Sequence, residues 1–340
     1  MFQTEPIKLL QSFATDWLTD FLWLVTQLGY SSFYIPVVFL ITFGVSFRKG
    51  FVLTQMLVWI GILTELLKNV IALPRPADVD SGVQLLVEGV PNPAPFSDMG
   101  GRGFWGLPDP EAIRLYRAQP EWSFGIPSGH VSGTTTFWGG LSLLFRNPAL
   151  RAAAVLVVLL MPLSRMYLGR HFVADVLAGF LLAAVMLAIG YRLFIRPEAR
   201  GRLLDLTRLD PVANGPTMLV LALSLLMPFL LLTLNPLVEP QHAGRLLGLN
   251  VAFVLLAWRG LPDDAGTPLR RAGRVAVAFG LFLGASRVLG LGIDAVGWNE
   301  DGLWTEFGAA AIPTFIALWV GMKIGLRLAL YGRPEGKVPA

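Results

Sequence analysis

The chain has 340 residues, 54% of them hydrophobic and only 15% charged, with a formal net charge of +4 and no cysteine. A water-soluble domain carries about a quarter charged residues, so an ordinary soluble fold is excluded, and so are disulfides and thiolate chemistry. The mean hydropathy of +0.61 comes from long continuous apolar runs rather than a period-two alternation, which argues for spanning helices and against a closed β-barrel.

The first residues, MFQTEPIKLL, lack the basic region and small-residue cleavage site of a secretory signal, so insertion is expected to be driven by internal helices. Residues 9–28 are apolar but carry Asp16 and Asp20, and an interfacial helix is expected there rather than a first span. Spanning helices are then expected near 31–47, 51–72, 130–146, 150–168, 171–193, 216–234, 246–260, 273–292 and 307–328. Between the second and third lies a long loop, 73–129, rich in Gly and Pro, with one short helix at PEAIRLYRAQ. Loops of this length are commonly functional or mobile. Its aromatic residues Phe104, Trp105 and Trp122 read as an interface belt more readily than as a lid.

The polar, basic stretch 196–215 is the best internal boundary. It separates residues 1–195, with the N-terminal interfacial helix, from an accessory helical block at 216–330. No internal repeat relates the two. The expected fold class is an all-α polytopic membrane protein.

Charge placement supplies an orientation. Arg48 and Lys49, Arg146 and Arg151, the run Arg192, Arg196, Arg200, Arg202 and Arg208, then Arg259, Arg270, Arg271 and Arg274, and finally Lys323, Arg327, Arg333 and Lys337 crowd alternate turns. The turn 293–306 is acidic instead, with Asp294, Glu300, Asp301 and Glu306. By the positive-inside rule the basic turns are cytoplasmic, and loop 73–129 with turns 168–171, 235–245 and 293–306 lies outside. The same placement explains a sequence pI near 9.6 without a nucleic-acid partner, because the basic residues form no single patch.

Three clusters carry potential chemistry, all on the outer side. Lys68 and Arg75, seven residues apart with Pro74 and Pro76 beside them, close the second helix. Helical spacing lets both cations face one way, although two cations snorkelling at a helix end would look the same. Gly125-Ile-Pro127-Ser128-Gly129-His130 opens the third helix. Ser128 is placed to cap it, and free amides at a helix start bind anions. Ser164-Arg165 and His171, with Asp175 four residues further, join the fourth and fifth helices. A carboxylate at that spacing can orient an imidazole. Singly, each cluster reads as ordinary helix-end packing. Together they place two of the chain's three histidines, three cations and one carboxylate at one end of helices two to five. Cations can clamp phosphate oxygens, one imidazole can attack phosphorus and the other can protonate the leaving oxygen. The sequence offers no cluster with metal-ligand spacing.

In order and spacing the clusters resemble the signature of the type 2 phosphatidic acid phosphatase superfamily: Lys-x6-Arg-Pro, Pro-Ser-Gly-His and Ser-Arg-x5-His-x3-Asp. The resemblance covers residues 50–193 and implies a phosphatase helical core followed by an additional C-terminal helical block. It further implies that His171 is the nucleophile, Asp175 its orienting partner and His130 the general acid. Lys68, Arg75, Ser128, Gly129 and Arg165 would hold the phosphate, with no metal and no organic cofactor. The expected function is an integral-membrane lipid phosphatase acting at the outer face through a phosphohistidine. Candidate substrates are undecaprenyl diphosphate, phosphatidic acid, phosphatidylglycerol phosphate and sphingoid-base phosphates. A phosphotransferase that passes the phosphoryl group to a lipid or sugar hydroxyl shares the first step. A non-catalytic lipid transporter or scaffold is disfavoured by the complete residue set. Residues 216–330 carry no comparable cluster and are expected to serve packing, lipid access or assembly into a homo-oligomer. His242 and Arg245 are expected in an external turn there, and Arg287 near the outer end of the eighth helix.

Overall fold

The computed structural model describes residues 1–87, 92, 94–118, 123–196, 215–259, 261 and 263–332. Trp122, Arg200, Arg202, Arg208, Arg333, Lys337 and most of the 196–215 boundary lie outside them. Among the described residues the fold is all-α, its one β-type pairing being a single antiparallel bridge, Asp263 to Gly332.

Every expected span corresponds to a helix. By length and composition, five described helices can cross a membrane: Phe47–Val79, Pro148–Tyr167, Val173–Ile195, Pro268–Val296 and Leu303–Arg327. A sixth crossing is made if Asp16–Gln27 and Ser31–Val45, bent by 49°, count as one broken span. Residues 16–27 are therefore half of a bent pair, where an interfacial helix was expected. Helices Gly129–Phe145, Gly215–Leu232 and Pro240–Arg259 also form but do not count among the five.

The chain packs as two units. The first comprises Met1–Tyr34 and Trp59–Tyr191, the second Ile35–Val58 and Arg192–Ala340.

In the first unit, short helices α1 (Glu5–Gln11) and α2 (Asp16–Gln27) precede α3 (Ser31–Phe39), of which only the start belongs here. The second half of α4 (Phe47–Ile71) follows. Then come α5 (Pro76–Val79), α6 (Pro110–Arg117), α7 (Gly129–Phe145), α8 (Pro148–Tyr167) and α9 (Val173–Gly190). Asn147 caps α8 through Leu150 N–H, with Pro148 at the first helical turn, the pattern expected of a helix start. Over its described residues the 73–129 loop packs on the N-terminus. Phe2, Ile7, Val79, Val83, Phe96, Ala112, Tyr116 and Phe172 form one buried apolar cluster that joins the N-terminus to the loop. Buried Gln11 adds three backbone bonds, donating to Gln84 O and Tyr167 O and accepting from Gln84 N–H. Such pairing is what allows an amide to be buried at low cost. Phe104 and Trp105 stay outside this core and are exposed.

In the second unit, Phe43, Phe47 and Phe51 pack with Leu249, Ala252, Leu256, Ala278, Leu318, Met322 and Tyr331. Phe51 stacks on Phe253 with ring centroids 3.9 Å apart. Gln55 donates to Asn250 Oδ1 at 2.5 Å, and Asn250 donates to Ser224 O. Arg274 is buried because every arm of its guanidinium is used, on Leu330 O, Asp264 O and Ala265 O, with Tyr331 against its face. The helix Pro240–Arg259 begins six residues before the expected span at 246, since Pro240 suits a first helical turn. His242 and Arg245 therefore sit on that helix and not in a turn.

Candidate active site

All eight residues singled out from the sequence fall in the first unit. Lys68 lies in the last turn of α4, which ends at Ile71. Arg75 is not on that helix. Ala72 takes a left-handed φ of 49°, and Arg75 is extended as the cap of α5. A turn, not helical phase, therefore brings the two cations together, because Pro74 and Pro76 cannot continue the helix. The carbonyls freed at the end of α4 are taken by Arg117, which donates to Ile71 O and Ala72 O.

The 123–125 backbone then acts as a ruler between the cations. Lys68 Nζ donates to Phe124 O at 3.0 Å. Arg75 donates twice to Ser123, through Nε to the carbonyl and Nη2 to the hydroxyl, both at 2.7 Å. Gly125 N–H bonds Leu73 O. Gly125 sits tightly: a Cβ would stand 3.0 Å from Asp175 Oδ2 and 3.1 Å from Pro74 O, so a side chain there would have to push one of them aside.

Ser128 occupies the cap position of α7, but its side chain makes no capping bond. Its amide bonds Asp175 O at 2.9 Å, while its fully buried Oγ has no protein partner. His130, one residue into the helix, has a buried Nε2 that is likewise unpartnered. The α7 start lies against α4, where a Cβ at Gly129 would stand an ordinary 3.5 Å from Thr64 Cγ2, and Thr64 and Ser132 bond through their hydroxyls.

His171 stands in the short link between α8 and α9, its Nδ1 3.2 Å from Asp175 Oδ2. The same oxygen accepts the Phe172 N–H at 3.0 Å, so Asp175 fixes both the ring and the start of α9. Asp175 Oδ1 is buried without a protein partner. Arg165, in the last turn of α8, is 5% exposed. Its Nη1 donates to Thr26 Oγ1 at 3.0 Å and its guanidinium also bonds the Tyr30 hydroxyl, while Nε has no protein partner.

Lys68, Arg75 and Arg165 all lie within electrostatic reach of both imidazoles. Lys68 interacts with Asp175, and His130 with His171. The three clusters are thus one site. Three cations and several buried donors with unused hydrogen-bonding capacity surround two imidazoles, an arrangement suited to a multiply charged oxyanion.

Residues 49–197 match the family model of the PAP2 superfamily. That stretch belongs to the PAP2 superfamily. All eight candidate residues lie inside that segment, and the apolar helices around it support a multi-pass membrane protein. No curated protein and no solved structure gives a significant match.

The sequence reading missed the N-terminal contribution. Thr26 and Tyr30 reach Arg165, and Tyr30 also packs edge-on against His130 with ring centroids 4.5 Å apart. A threonine and a tyrosine among apolar residues carry no spacing signal that could have marked them.

Proposed function

We propose that the PAP2 segment is a lipid phosphatase that works through a phosphohistidine, with its site at the extracytoplasmic face. The observation that carries this is the His171–Asp175 pair, a buried imidazole oriented by a carboxylate and ringed by Lys68, Arg75 and Arg165. With Nδ1 donating to Asp175, Nε2 of His171 keeps its lone pair for attack on phosphorus. As the N–P bond forms, the bond from phosphorus to the leaving oxygen breaks, and His130 gives that oxygen a proton. The charge gathering on the three remaining oxygens is met by Lys68, Arg75, Arg165, the Ser128 hydroxyl and the amides that open α7. Water then attacks phosphorus, His130 takes back a proton, the N–P bond breaks and phosphate leaves. Neutralisation by cations supports a reaction that needs no metal.

A lipid substrate is supported by the setting, with the catalytic groups at the ends of apolar helices. The outer face is supported by the basic turns at the opposite helix ends. The test is release of inorganic phosphate from a panel of lipid phosphates and diphosphates in detergent, with capture of a radiolabelled enzyme on acid-free quenching. We expect free phosphate and an acid-labile label that is absent from His171→Ala. Phosphate appearing only as a new phosphoester would make the protein a transferase, and a label surviving in His171→Ala would remove the nucleophile assignment.

A further inference from the structure

The family match starts at residue 49, yet two residues of the site are contacted by side chains that precede it. They come from the break between α2 and α3, where the bent pair turns by 49°. Thr26 is 2% exposed and accepts a hydrogen bond from Arg165 Nη1. The Tyr30 hydroxyl takes a second bond from the same guanidinium. Its ring meets the His130 imidazole at an interplanar angle of 89°. Between them Gly29 lies against His130 so closely that a Cβ would stand 2.6 Å from Cδ2 and 3.2 Å from Cγ. Two further bonds, Thr19 Oγ1 with Tyr167 OH and Ser164 Oγ to Leu22 O, fasten α2 along the end of α8.

An arginine offers five donors in a rigid plane. Holding part of that fork with two hydroxyls fixes how the remaining donors, Nε among them, are presented. An imidazole packed edge-on by one ring and seated on a glycine has little freedom about its own χ angles. We propose that Thr26, Gly29 and Tyr30 are positioning residues of this site: Thr26 and Tyr30 aim the Arg165 guanidinium at the phosphate, and Gly29 with the Tyr30 ring holds His130 for proton transfer to the leaving oxygen. The N-terminal helices are then part of the catalytic apparatus and not only a membrane anchor. This deepens the phosphatase reading above and rests on it.

The two arms separate by substitution in the full-length protein. Tyr30→Phe removes the hydroxyl but keeps the ring, Thr26→Val removes the other acceptor, and Tyr30→Leu removes both ring and hydroxyl. Each purified variant is measured for its thermal shift with inorganic phosphate, for inhibition by phosphate, and for turnover of p-nitrophenyl phosphate against octyl phosphate. Loss of a hydrogen bond to a charged group should weaken phosphate binding roughly ten-fold in Tyr30→Phe and in Thr26→Val. Their preference between the two esters should stay as in the wild type. Tyr30→Leu should in addition lose octyl phosphate turnover more than p-nitrophenyl phosphate turnover, because only the alkoxide needs the proton from His130. Unchanged phosphate affinity in both Tyr30→Phe and Thr26→Val would overturn the arginine arm. An unchanged ester preference in Tyr30→Leu would overturn the histidine arm. Should Tyr30→Leu not fold, Gly29→Ala, which crowds the same imidazole, takes its place in the ester comparison, and the other two variants decide the rest. A wild-type protein that releases no phosphate from any ester defeats the phosphatase reading instead, while the phosphate-induced thermal shift still reads whether Tyr30 and Thr26 aim Arg165.

Discussion

Asp175 lies in the first turn of α9 and holds His171 Nδ1 at 3.2 Å through the same oxygen that accepts the Phe172 N–H. Both side chains are almost wholly shielded from solvent. One carboxylate oxygen thereby sets the tautomer of the imidazole and the geometry of the link that carries it. Asp175→Asn would keep the shape, and its amide oxygen, standing where Oδ2 stands, could still accept from Phe172 N–H and His171 Nδ1–H, but the negative charge that fixes the tautomer and steadies the imidazole as it attacks would be gone. Turnover is expected to fall by about 10³-fold or more, the scale seen when an orienting carboxylate is made an amide. The thermal transition should change little, since the amide oxygen still caps α9. Steady-state kinetics beside a melting curve test this, and a variant with a tenth of wild-type activity would dismiss the orienting role.

His130→Ala separates the two half-reactions. With p-nitrophenyl phosphate the leaving group needs no proton, so attack by His171 should continue while hydrolysis of the N–P bond slows. A phosphoenzyme should then accumulate, where the wild type shows little. Rapid quench with labelled substrate measures it, and absence of label together with lost turnover would place His130 in the first step alone.

Activity should survive excess EDTA without recovery effects from added Mg²⁺. The motivation is that Lys68, Arg75 and Arg165 supply the positive charge around both imidazoles. Replacing Arg75 by Ala should instead raise KM and lower kcat together, because a clamp on the transferring group acts in both ground and transition states. Loss of turnover with chelator and rescue by a divalent cation would mean that the charge is met differently.

A truncation tests how the two units depend on each other. A fragment of residues 1–210 carries every proposed catalytic group, and the chemistry is proposed to reside there. It also carries Phe43, Phe47 and Phe51 without Leu249, Ala252, Leu256 and Met322, their partners in one buried cluster. The fragment is therefore expected to be monodisperse only when residues 211–340 are co-expressed, with activity on a water-soluble ester recovering in parallel. Size-exclusion profiles and phosphate release check this, and a fragment that is folded and fully active alone would show that this cluster is dispensable.

The N-terminus is tied to the 73–129 loop by an ion pair whose pH limits can be signed. Lys8 Nζ lies 2.8 Å from Asp80 Oδ2, and Thr4 and the Gly82 N–H donate to the same carboxylate. Burial pushes the Asp80 carboxyl up, but the bonds from Lys8, Thr4 and Gly82 outweigh it and hold it below the ordinary carboxylate value. Its stabilising contribution is present above the unfolded value and is lost as pH falls through the folded one. The hydrogen bond from Lys8 to Asp80 raises the Lys8 ammonium, so its contribution is lost only as pH rises through that raised value. The pair is partly exposed and worth about 0–1 kcal/mol. Protection of the residue 5–11 amides, with exchange corrected for its intrinsic pH dependence, should fall modestly in acid, and Asp80→Asn should show the lower protection already at neutral pH. Identical exchange in the variant would show that the apolar cluster around Ile7 anchors the segment unaided.

Most of the site was legible in the sequence because its chemistry needs particular residue types at helix ends. Lys68, Arg75, Ser128, His130, Arg165, His171 and Asp175 stand out from apolar runs where ionisable groups are costly. The geometry that joins Lys68 to Arg75 was less legible. Spacing suggested two helical turns, whereas the prolines force a turn after Ile71. Long-range packing left no local trace at all. Nothing in Ile35–Val58 announces that it groups with residues after 192, and Thr26 and Tyr30 look like any polar residues near a helix end. Periodicity reports which face of a helix is buried, not against what.

The Thr26–Arg165 bond spans 139 positions of chain, and this has a consequence for biogenesis. Synthesis proceeds from the N-terminus, so α2 is made long before α8 exists. Until the end of α8 emerges, Thr26, Gly29 and Tyr30 have neither the guanidinium nor a finished pocket to hold. His171 and Asp175 follow within the next ten residues, so the last acquisitions of the site arrive almost together. A nascent chain would therefore stay inert toward phosphate esters at least until α9 is in place.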